Sequence, residues 1–230
     1  MPRCPRIVPG GMFYHVLNRA NGRSRIFGRP ADYKAFERVM METLERIPMR
    51  VLAYCLMPNH WHLVLRPRGD GDLTRFMQWL TLTHTQRWHA RRKSAGTGHL
   101  YQGRYKSFPV QAGVPLLRVL RYVERNPLRA GLVNRVQDWR WGSLWRRRFG
   151  TPDQARWLQA WPGGEPADWL ERLNRPGRAA EEEELRAIRE SAARGAPLGA
   201  ELWRRRTARA LGLDSALRPR GRPRMNEAEG

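Results

Sequence analysis

Two apolar segments joined by a Pro-Asn turn constrain the fold of this chain more than any other feature. Residues 50–57 (RVLAYCLM) and 60–67 (HWHLVLRP) have the composition of β-strands. The Pro-Asn dipeptide between them favours a turn, because proline presets φ and asparagine tolerates unusual φ values. The stretch therefore predicts a β-hairpin. Since strand side chains alternate between faces, His60 and His62 are predicted to point one way and Trp61 the other, toward a core.

The segments around this hairpin predict the rest of a sheet and its helices. Apolar periodicity predicts strands at 11–19 and 104–111 and helices at 31–47, at 72–93 and from Pro115 onward. The resulting order, β-α-β-β-α-β-α, predicts an α+β chain with a ferredoxin-like antiparallel sheet and helices stacked on it.

The composition changes along the chain and suggests three parts. Residues 1–145 carry the predicted sheet. Residues 146–180 are rich in Trp, Pro, Gly and Arg without a clear period, and we expect a linker or irregular segment there. Residues 181–230 form the third part, a helical C-terminal extension that ends in a basic tail, LRPRGRPRMNEAEG, with the composition of a disordered segment.

The charge of the chain points to an anionic partner. The formal net charge is +22 and the pI is about 11.5, which favours a nucleic acid. Arginine supplies nearly all of the positive charge, since lysine occurs only at positions 34, 93 and 106. A GC-rich coding bias explains that ratio, but it does not explain the shortage of acidic residues.

Cysteine content and hydropathy indicate the compartment. Cys4 and Cys55 are too few for a disulfide framework, which favours a reducing cytoplasm. No apolar run reaches membrane-spanning length, and the N-terminus carries no apolar signal-peptide core. We expect a cytoplasmic, bacterial, nucleoid-associated protein.

The helix from Pro115 onward places polar groups beside an apolar stripe. In PLLRVLRYVERNPLRAGLV, the stripe runs through Leu116, Val119, Leu120 and Val123. Tyr122 and Asn126 are predicted to lie together beside that stripe, one turn apart, with Asn126 in the last turn because Pro127 follows it. The basic residues that flank them are Arg118, Arg125 and Arg129.

These side chains are suited to phosphoryl transfer. A cation held by two imidazoles and an amide oxygen can polarise a phosphate, and a phenol can attack phosphorus. The alternatives are a structural histidine pair and a core tyrosine whose hydroxyl reaches the rim. Rival nucleophiles are Tyr54, Tyr101 and Tyr105, and we expect His15, His84 and His89 to be core or surface residues without chemistry.

Two motifs together resemble a known enzyme family. PNHWHLV is similar to the HUH motif (His, bulky hydrophobic, His), and YVERNPLRAGLV is similar to the tyrosine helix of single-tyrosine IS200/IS605-type transposases. The nearest branch is that of the REP-associated tyrosine transposases. The resemblance covers residues 5 to about 145, from VPGGMFYHVLNR to DWRWGS, and the tail LGLDSALRPRGRPR also resembles one in that branch.

The resemblance implies a nuclease and strand transferase that acts on single-stranded, hairpin-forming DNA. It implies that Tyr122 is the nucleophile, that His60 and His62 bind a metal, and that Asn126 occupies the position of a glutamine ligand. The implied product carries a 5′-phosphotyrosine and leaves a free 3′-hydroxyl. The amide and phosphate oxygens favour Mg²⁺ or Mn²⁺, although imidazoles alone also suit Zn²⁺. No small-molecule cofactor and no membrane partner are expected.

The DNA contacts are expected from the basic residues of the tyrosine helix and of the tail. The helix offers Arg118, Arg125 and Arg129. The tail sequence PRGRP is the core of an AT-hook, in which Arg220 and Arg222 would enter a narrow A·T minor groove. The alternative is a generic basic tail held by phosphates.

Two other functions and two oligomeric states stay open on the sequence. The chain could be a non-catalytic hairpin-binding regulator, or a rolling-circle initiator or relaxase with the same HUH–tyrosine chemistry. The latter usually carry a third motif histidine, a second tyrosine or a helicase, which this chain does not show. IS200-type enzymes work as dimers, but the C-terminal extension could replace a partner, so a monomer is expected rather than a homodimer.

Overall fold

A four-stranded antiparallel sheet forms the centre of the molecule. The computed structural model describes residues 7–176 and 179–218. The strands are β1 (Phe13–Arg19), β2 (Met49–Met57), β3 (His60–Pro67) and β4 (Lys106–Val110). Their order across the sheet is β2-β3-β1-β4, and each neighbouring pair is antiparallel.

Helices surround this sheet and continue beyond it. They are α1 (Pro30–Arg46), α2 (Asp72–Arg92), α3 (Val114–Glu124), α4 (Asn126–Arg129), α5 (Ser143–Phe149), α6 (Pro152–Ala155), α7 (Trp169–Asn174), α8 (Ala179–Arg194), α9 (Glu201–Ala210) and α10 (Asp214–Leu217). Up to α3 the order is β-α-β-β-α-β-α, which confirms the predicted α+β fold class. Within the described parts of the chain, no helix has the length and apolar content needed to cross a bilayer.

The sheet is buried on both faces, and the alternation of β3 divides its side chains between two cores. Trp61 and Leu63 pack with α1 and α2 in the first core. Val64, two residues after His62, packs with α3 in the second core. Burying both faces fixes the register, because a slip of one residue would exchange every side chain between the two cores.

The turn between β2 and β3 is the tight connection that the sequence predicts. Met57 pairs with His60, which leaves only Pro58 and Asn59 in the turn. The Pro58 carbonyl accepts hydrogen bonds from the backbone N–H groups of Ile26 and Phe27, at 2.9 and 3.0 Å. The loop before α1 therefore holds the turn in place.

Residues 146–180 differ from the expected irregular linker. They contain α6 and α7, and Leu158 forms a β-bridge with Val51 at the outer edge of β2. Trp161 and Trp169 are buried in the core below α3, where the Trp161 indole N–H donates to the Leu52 carbonyl at 2.9 Å. These large side chains enter the core singly and do not form an apolar stripe along a helix, so this part of the sequence shows no apolar periodicity.

The C-terminal extension covers the opposite edge of the sheet. Between α8 and α9, Leu198 forms a parallel β-bridge with Val110 of β4. Its N–H donates to the Pro109 carbonyl at 2.9 Å, and its carbonyl accepts from the Gln111 N–H at 2.9 Å. Both edge strands are thus covered by later parts of the chain. The tail arginines Arg220 and Arg222, with the PRGRP sequence, lie outside the described residues.

A buried carboxyl group ties α3 to the helices below it. Glu124 is buried, and its two oxygens accept hydrogen bonds from the Ser143 hydroxyl at 2.8 Å and from the Trp169 indole N–H at 2.9 Å. It forms no ion pair among the described residues, although the charge of Arg147 helps to lower its pKa. Burial raises the pKa of Glu124 to about 7, more than these two hydrogen bonds lower it.

We therefore expect Glu124→Gln to stabilise the protein above neutral pH. Glu124 holds its proton up to pH about 7 in the folded state, whereas the unfolded chain releases it near pH ~4.3. The free energy of unfolding contributed by this group is therefore full below pH ~4.3 and is lost as the pH rises to about 7. In urea unfolding, the free energy of unfolding of Glu124→Gln relative to that of the parent should increase by on the order of 3 kcal/mol between pH 4 and pH 8.

The control is Glu45→Gln, which removes an exposed carboxylate from α1. The difference between this variant and the parent should change little over the same pH range. A Glu124→Gln difference that is independent of pH would contradict a raised pKa at this site.

Candidate active site

The two histidines of β3 lie on the sheet face that α3 covers. The ring centroids of His60 and His62 are 5.0 Å apart, with the ring planes at 84°. His62 is buried and His60 is partly exposed, as expected for neighbouring positions on one face near the end of a strand. The predicted imidazole pair is therefore present, but it faces a helix rather than open solvent.

Both imidazoles are uncharged near neutral pH. Burial lowers the pKa of His60 to about 4, and the nearby Arg19 and Arg129 contribute to the decrease. Burial, together with the neighbouring His60 and His15 rings, holds the pKa of His62 well below its usual range. Neutral imidazole is the form that binds metals, because protonation removes the free lone pair.

A hydrogen bond fixes the tautomer of His60. Its Nδ1 lies 2.6 Å from the side-chain oxygen Oδ1 of Asn59. An amide oxygen only accepts, so His60 Nδ1 carries the proton and donates it. The Nε2 lone pair of His60 is consequently free for another partner.

A third histidine, His15, joins this pair and was not expected from the sequence. It is buried on β1, its Nε2 lies 3.0 Å from His62 Nδ1, and the two rings stack at 5.1 Å. The sheet register explains the contact: His15 lies opposite Val64 and therefore diagonal to His62. Only the pairing of β1 with β3 brings the rings together, and a single sequence does not show that pairing.

Helix α3 places Tyr122 edge-on against the imidazoles. Its ring centroid is 5.6 Å from that of His62 and 5.8 Å from that of His15, both at 87°. The helix follows Gly113, whose φ of 81° favours glycine, and has a proline in its first turn. Tyr122 is half-buried, with its apolar neighbours in the core below.

Asn126 is placed differently from the prediction. We expected it in the last turn of the helix that carries Tyr122, but α3 ends at Glu124 and Asn126 begins the short helix α4. Pro127 has no N–H and restricts the residue before it, which explains the break. Asn126 is buried, and its Nδ2 has no hydrogen-bond partner in the described structure.

Arg129 connects Asn126 to Tyr122. Its guanidinium donates to Asn126 Oδ1 at 2.9 Å and to the Tyr122 carbonyl at 3.2 Å, and it lies 4.4 Å from the centroid of the Tyr122 ring. Within residues 7–176 and 179–218 it forms no ion pair. A cation without a carboxylate partner therefore lies beside the tyrosine.

The other two arginines of the predicted set are engaged by α8. Arg118 pairs with Glu184 at 2.9 Å, and Arg125 pairs with Glu181 at 2.8 Å. Arg121, which was not among the predicted DNA contacts, pairs with both glutamates. These groups line a cavity of about 230 Å³ that also contains Tyr122 and Arg129. The glutamates of α8 contact α3 only because the fold brings the two helices together, and local sequence patterns do not show that contact.

The rival tyrosines are poorly placed for chemistry. Tyr54 is buried and donates to Glu37 at 2.7 Å, and Tyr101 is buried between the Trp61 indole and His84. Burial raises the pKa of both hydroxyls well above the usual value. Tyr105 is also buried. All three belong to the first core, on the face of the sheet opposite the imidazole pair.

The side chains that could hold a metal are few. In the described segments, no group of three or more His, Cys, Asp or Glu side chains is arranged to bind a cation. His60 and His62 fit a metal as neutral imidazoles. A third protein ligand would have to be an amide oxygen, and Asn126 Oδ1 has one lone pair left after accepting from Arg129.

Known proteins share both the sequence and the fold of this part of the chain. Residues 10–126 match the family described as "Transposase IS200 like". The REP-associated tyrosine transposase of Escherichia coli (strain K12) is 23% identical over 167 residues, covering 70% of this chain and 86% of the relative. A Haemophilus influenzae relative is 24% identical over 146 residues, covering 60% of this chain and 81% of its own length.

One solved structure extends this similarity to the fold. It is a REP-associated tyrosine transposase bound to a REP hairpin, with a TM-score of 0.53 and 20% identity, covering 72% of this chain and 98% of that one. The family match begins before β1 and ends at Asn126, so it includes the sheet, both histidines of β3 and the tyrosine helix. This chain therefore belongs to the IS200-like transposase family, whose members are DNA-cleaving enzymes.

Proposed function

We propose that this chain is a metal-dependent nuclease and strand transferase for single-stranded, hairpin-forming DNA, with a 5′-phosphotyrosine intermediate. The observation that carries the proposal is the placement of Tyr122 against the imidazole pair, with ring centroids 5.6 Å apart at His62. Among the candidate tyrosines, this one combines partial exposure, adjacent neutral imidazoles and a neighbouring cation. Each feature suits attack on a phosphodiester.

The proposed reaction exchanges one phosphoester for another. Tyr122 Oη forms a bond to the scissile phosphorus while the bond from phosphorus to the 3′ oxygen breaks. The phenol loses a proton and the departing 3′ oxygen gains one, so no proton is consumed overall. A 3′-hydroxyl from another strand end can then attack the phosphotyrosine, which restores the phenol and joins the DNA without an external energy source.

The proposed metal ligands are the imidazoles of His60 and His62 with Oδ1 of Asn126. A divalent cation held by these residues would supply positive charge that polarises the scissile phosphate. The amide oxygen of Asn126 and the phosphate oxygens of the DNA would favour Mg²⁺ or Mn²⁺ over Zn²⁺. Arg129 lies beside both Asn126 and Tyr122, where its charge would stabilise the negative phosphate oxygens.

The proposed partner is hairpin-forming DNA. The related transposase of the solved structure is bound to a REP hairpin. The net charge of +22 supports strong phosphate binding. Since its proposed partner is DNA, we also propose that the protein is located in the cytoplasm on the nucleoid. The main proposed contacts are Arg129, which has no carboxylate partner in the described structure, and, in the tail, Arg220 and Arg222. Arg118 and Arg125 are proposed as weaker contacts, because the glutamates of α8 already pair with them.

We propose that the enzyme acts as a monomer. Val51 at the edge of β2 is bridged to Leu158, and Val110 at the edge of β4 is bridged to Leu198. Because both edges are covered by later residues, a second copy could not extend the sheet at either edge without displacing them.

Tyr122→Phe is expected to abolish cleavage while hairpin binding and folding are retained. The substitution removes the nucleophilic oxygen but keeps the ring that packs on His62 and His15. Hairpin DNA labelled at its 3′ end should become attached to the parent protein and not to the variant on a denaturing gel. Tyr33→Phe, which alters another ring packed in the first core, should still form the adduct. An adduct with Tyr122→Phe would exclude this residue as nucleophile.

The imidazole pair should be required for metal-dependent cleavage. His60→Ala and His62→Ala are each expected to remove activity, because each deletes a ligand, while hairpin binding persists. EDTA should abolish DNA cleavage by the parent protein, and added Mg²⁺ or Mn²⁺ should restore the cleavage. The assay is the same covalent adduct, quantified against the concentration of each metal. Undiminished cleavage in EDTA would mean that the pair is structural.

Arg129 should contribute more to DNA binding than Arg125. If Arg129 contacts a phosphate, Arg129→Ala should make the slope of log K against log[salt] shallower by about 0.7–0.9. Arg125 is a matched control, because its guanidinium already contacts Glu181 and the Arg175 carbonyl. Binding titrations from low to high salt measure both slopes. Equal changes in the two variants would contradict the assignment.

A further inference from the structure

His15 is a buried ionisable group that contacts the proposed site and that the proposed reaction does not use. It lies on the central strand β1 and contacts both His62 and Tyr122 through its ring. Its Nε2 is hydrogen-bonded to His62 Nδ1 at 3.0 Å. Phe108 packs edge-on against it at 5.0 Å. The ring thus occupies a largely apolar slot, and its hydrogen bond is to a proposed metal ligand.

We propose that His15 is a positioning residue that holds His62 in the tautomer whose Nε2 is free to bind the metal. The inference rests on the metal site proposed above. His15 occupies the Nδ1 edge of the His62 ring, so Nε2 is the nitrogen left to face a cation. A neutral imidazole with a free Nε2 carries its proton on Nδ1. His62 then donates to His15 Nε2, and His15 carries its own proton on Nδ1.

The unpartnered nitrogen of His15 bears on why this position holds a histidine, whichever nitrogen carries the proton. His15 Nδ1 is buried and has no hydrogen-bond partner among the described residues. Burying such an atom destabilises the fold, and a phenylalanine ring would fill the slot without that cost. Stability alone therefore does not explain a histidine here. Its contact with His62 does.

The neighbouring ligand is oriented in the same way. Asn59 Oδ1 accepts the Nδ1 proton of His60 at 2.6 Å, which leaves Nε2 of that ring free. Second partners of this kind commonly set the ring orientation and tautomer of metal-binding histidines. His15 would do for His62 what Asn59 does for His60. A role as third ligand does not fit, because the described residues hold no three-membered His, Cys, Asp or Glu metal cluster.

The test compares His15→Phe and His15→Gln with the parent as full-length proteins. Phenylalanine fills the slot without an acceptor, whereas the amide oxygen of glutamine can occupy the place of Nε2 and accept from His62. Mn²⁺ affinity, read from the free-ion electron paramagnetic resonance signal, should fall about 10–100-fold in His15→Phe. His15→Gln should recover most of this loss. Urea unfolding should show His15→Phe at least as stable as the parent.

A second readout does not depend on metal or on any variant. Long-range ¹H–¹⁵N correlation spectra of the metal-free parent should show His62 with its proton on Nδ1. A proton on Nε2 of His62, or unchanged Mn²⁺ affinity in His15→Phe, would overturn the role of His15. If His60→Ala and His62→Ala bind Mn²⁺ as tightly as the parent, the metal site itself is wrong, and the role of His15 is overturned with it.

Discussion

The pairing of β3 with β1, buried on both faces, is the constraint on which the rest of the structure depends. Trp61 of β3 points into one core and His62 points toward the other, and both side chains are buried. Two buried faces allow one register, and that register fixes which side chains are diagonal neighbours. The contact of His15 with His62, and that of Tyr122 with both, follow from it.

Polar groups that are costly to bury gather around the helix that carries the tyrosine. Glu124 has a raised pKa, and the Nδ1 of His15 and Nδ2 of Asn126 have no partner in the described structure. Elsewhere in the core, the buried Tyr54 hydroxyl, Glu37 and Arg146 satisfy one another. Of the three buried side-chain atoms without a partner in the described structure, two lie beside the proposed chemistry, and the third is Nε of Arg147 on α5. Unpartnered groups at a site are expected where function rather than stability selects the residues.

Local patterns predicted the frame of the site, and long-range packing determined its details. Strand alternation and helix periodicity place His60, His62 and Tyr122 correctly, because both depend on neighbours in sequence. We predicted that Asn126 lies in the same helix as Tyr122, although Pro127 signals the break between α3 and α4. The contact of His15 depends on strand pairing, and that of Arg125 with Glu181 joins helices more than fifty residues apart. No periodicity within a single segment encodes such contacts.

The two β-bridges at the sheet edges have a consequence for how the chain can be divided. The family match ends at Asn126, yet Leu158 and Leu198, which cover the edges, come later. A fragment that ends near residue 145 would expose both strand edges, and it would expose the apolar core surface that Trp161 and Trp169 cover in the full chain. Such edges template intermolecular strand pairing and aggregation. The packed structure therefore continues well past the end of the family match, and shortened forms of the protein should retain all residues up to and including Leu198.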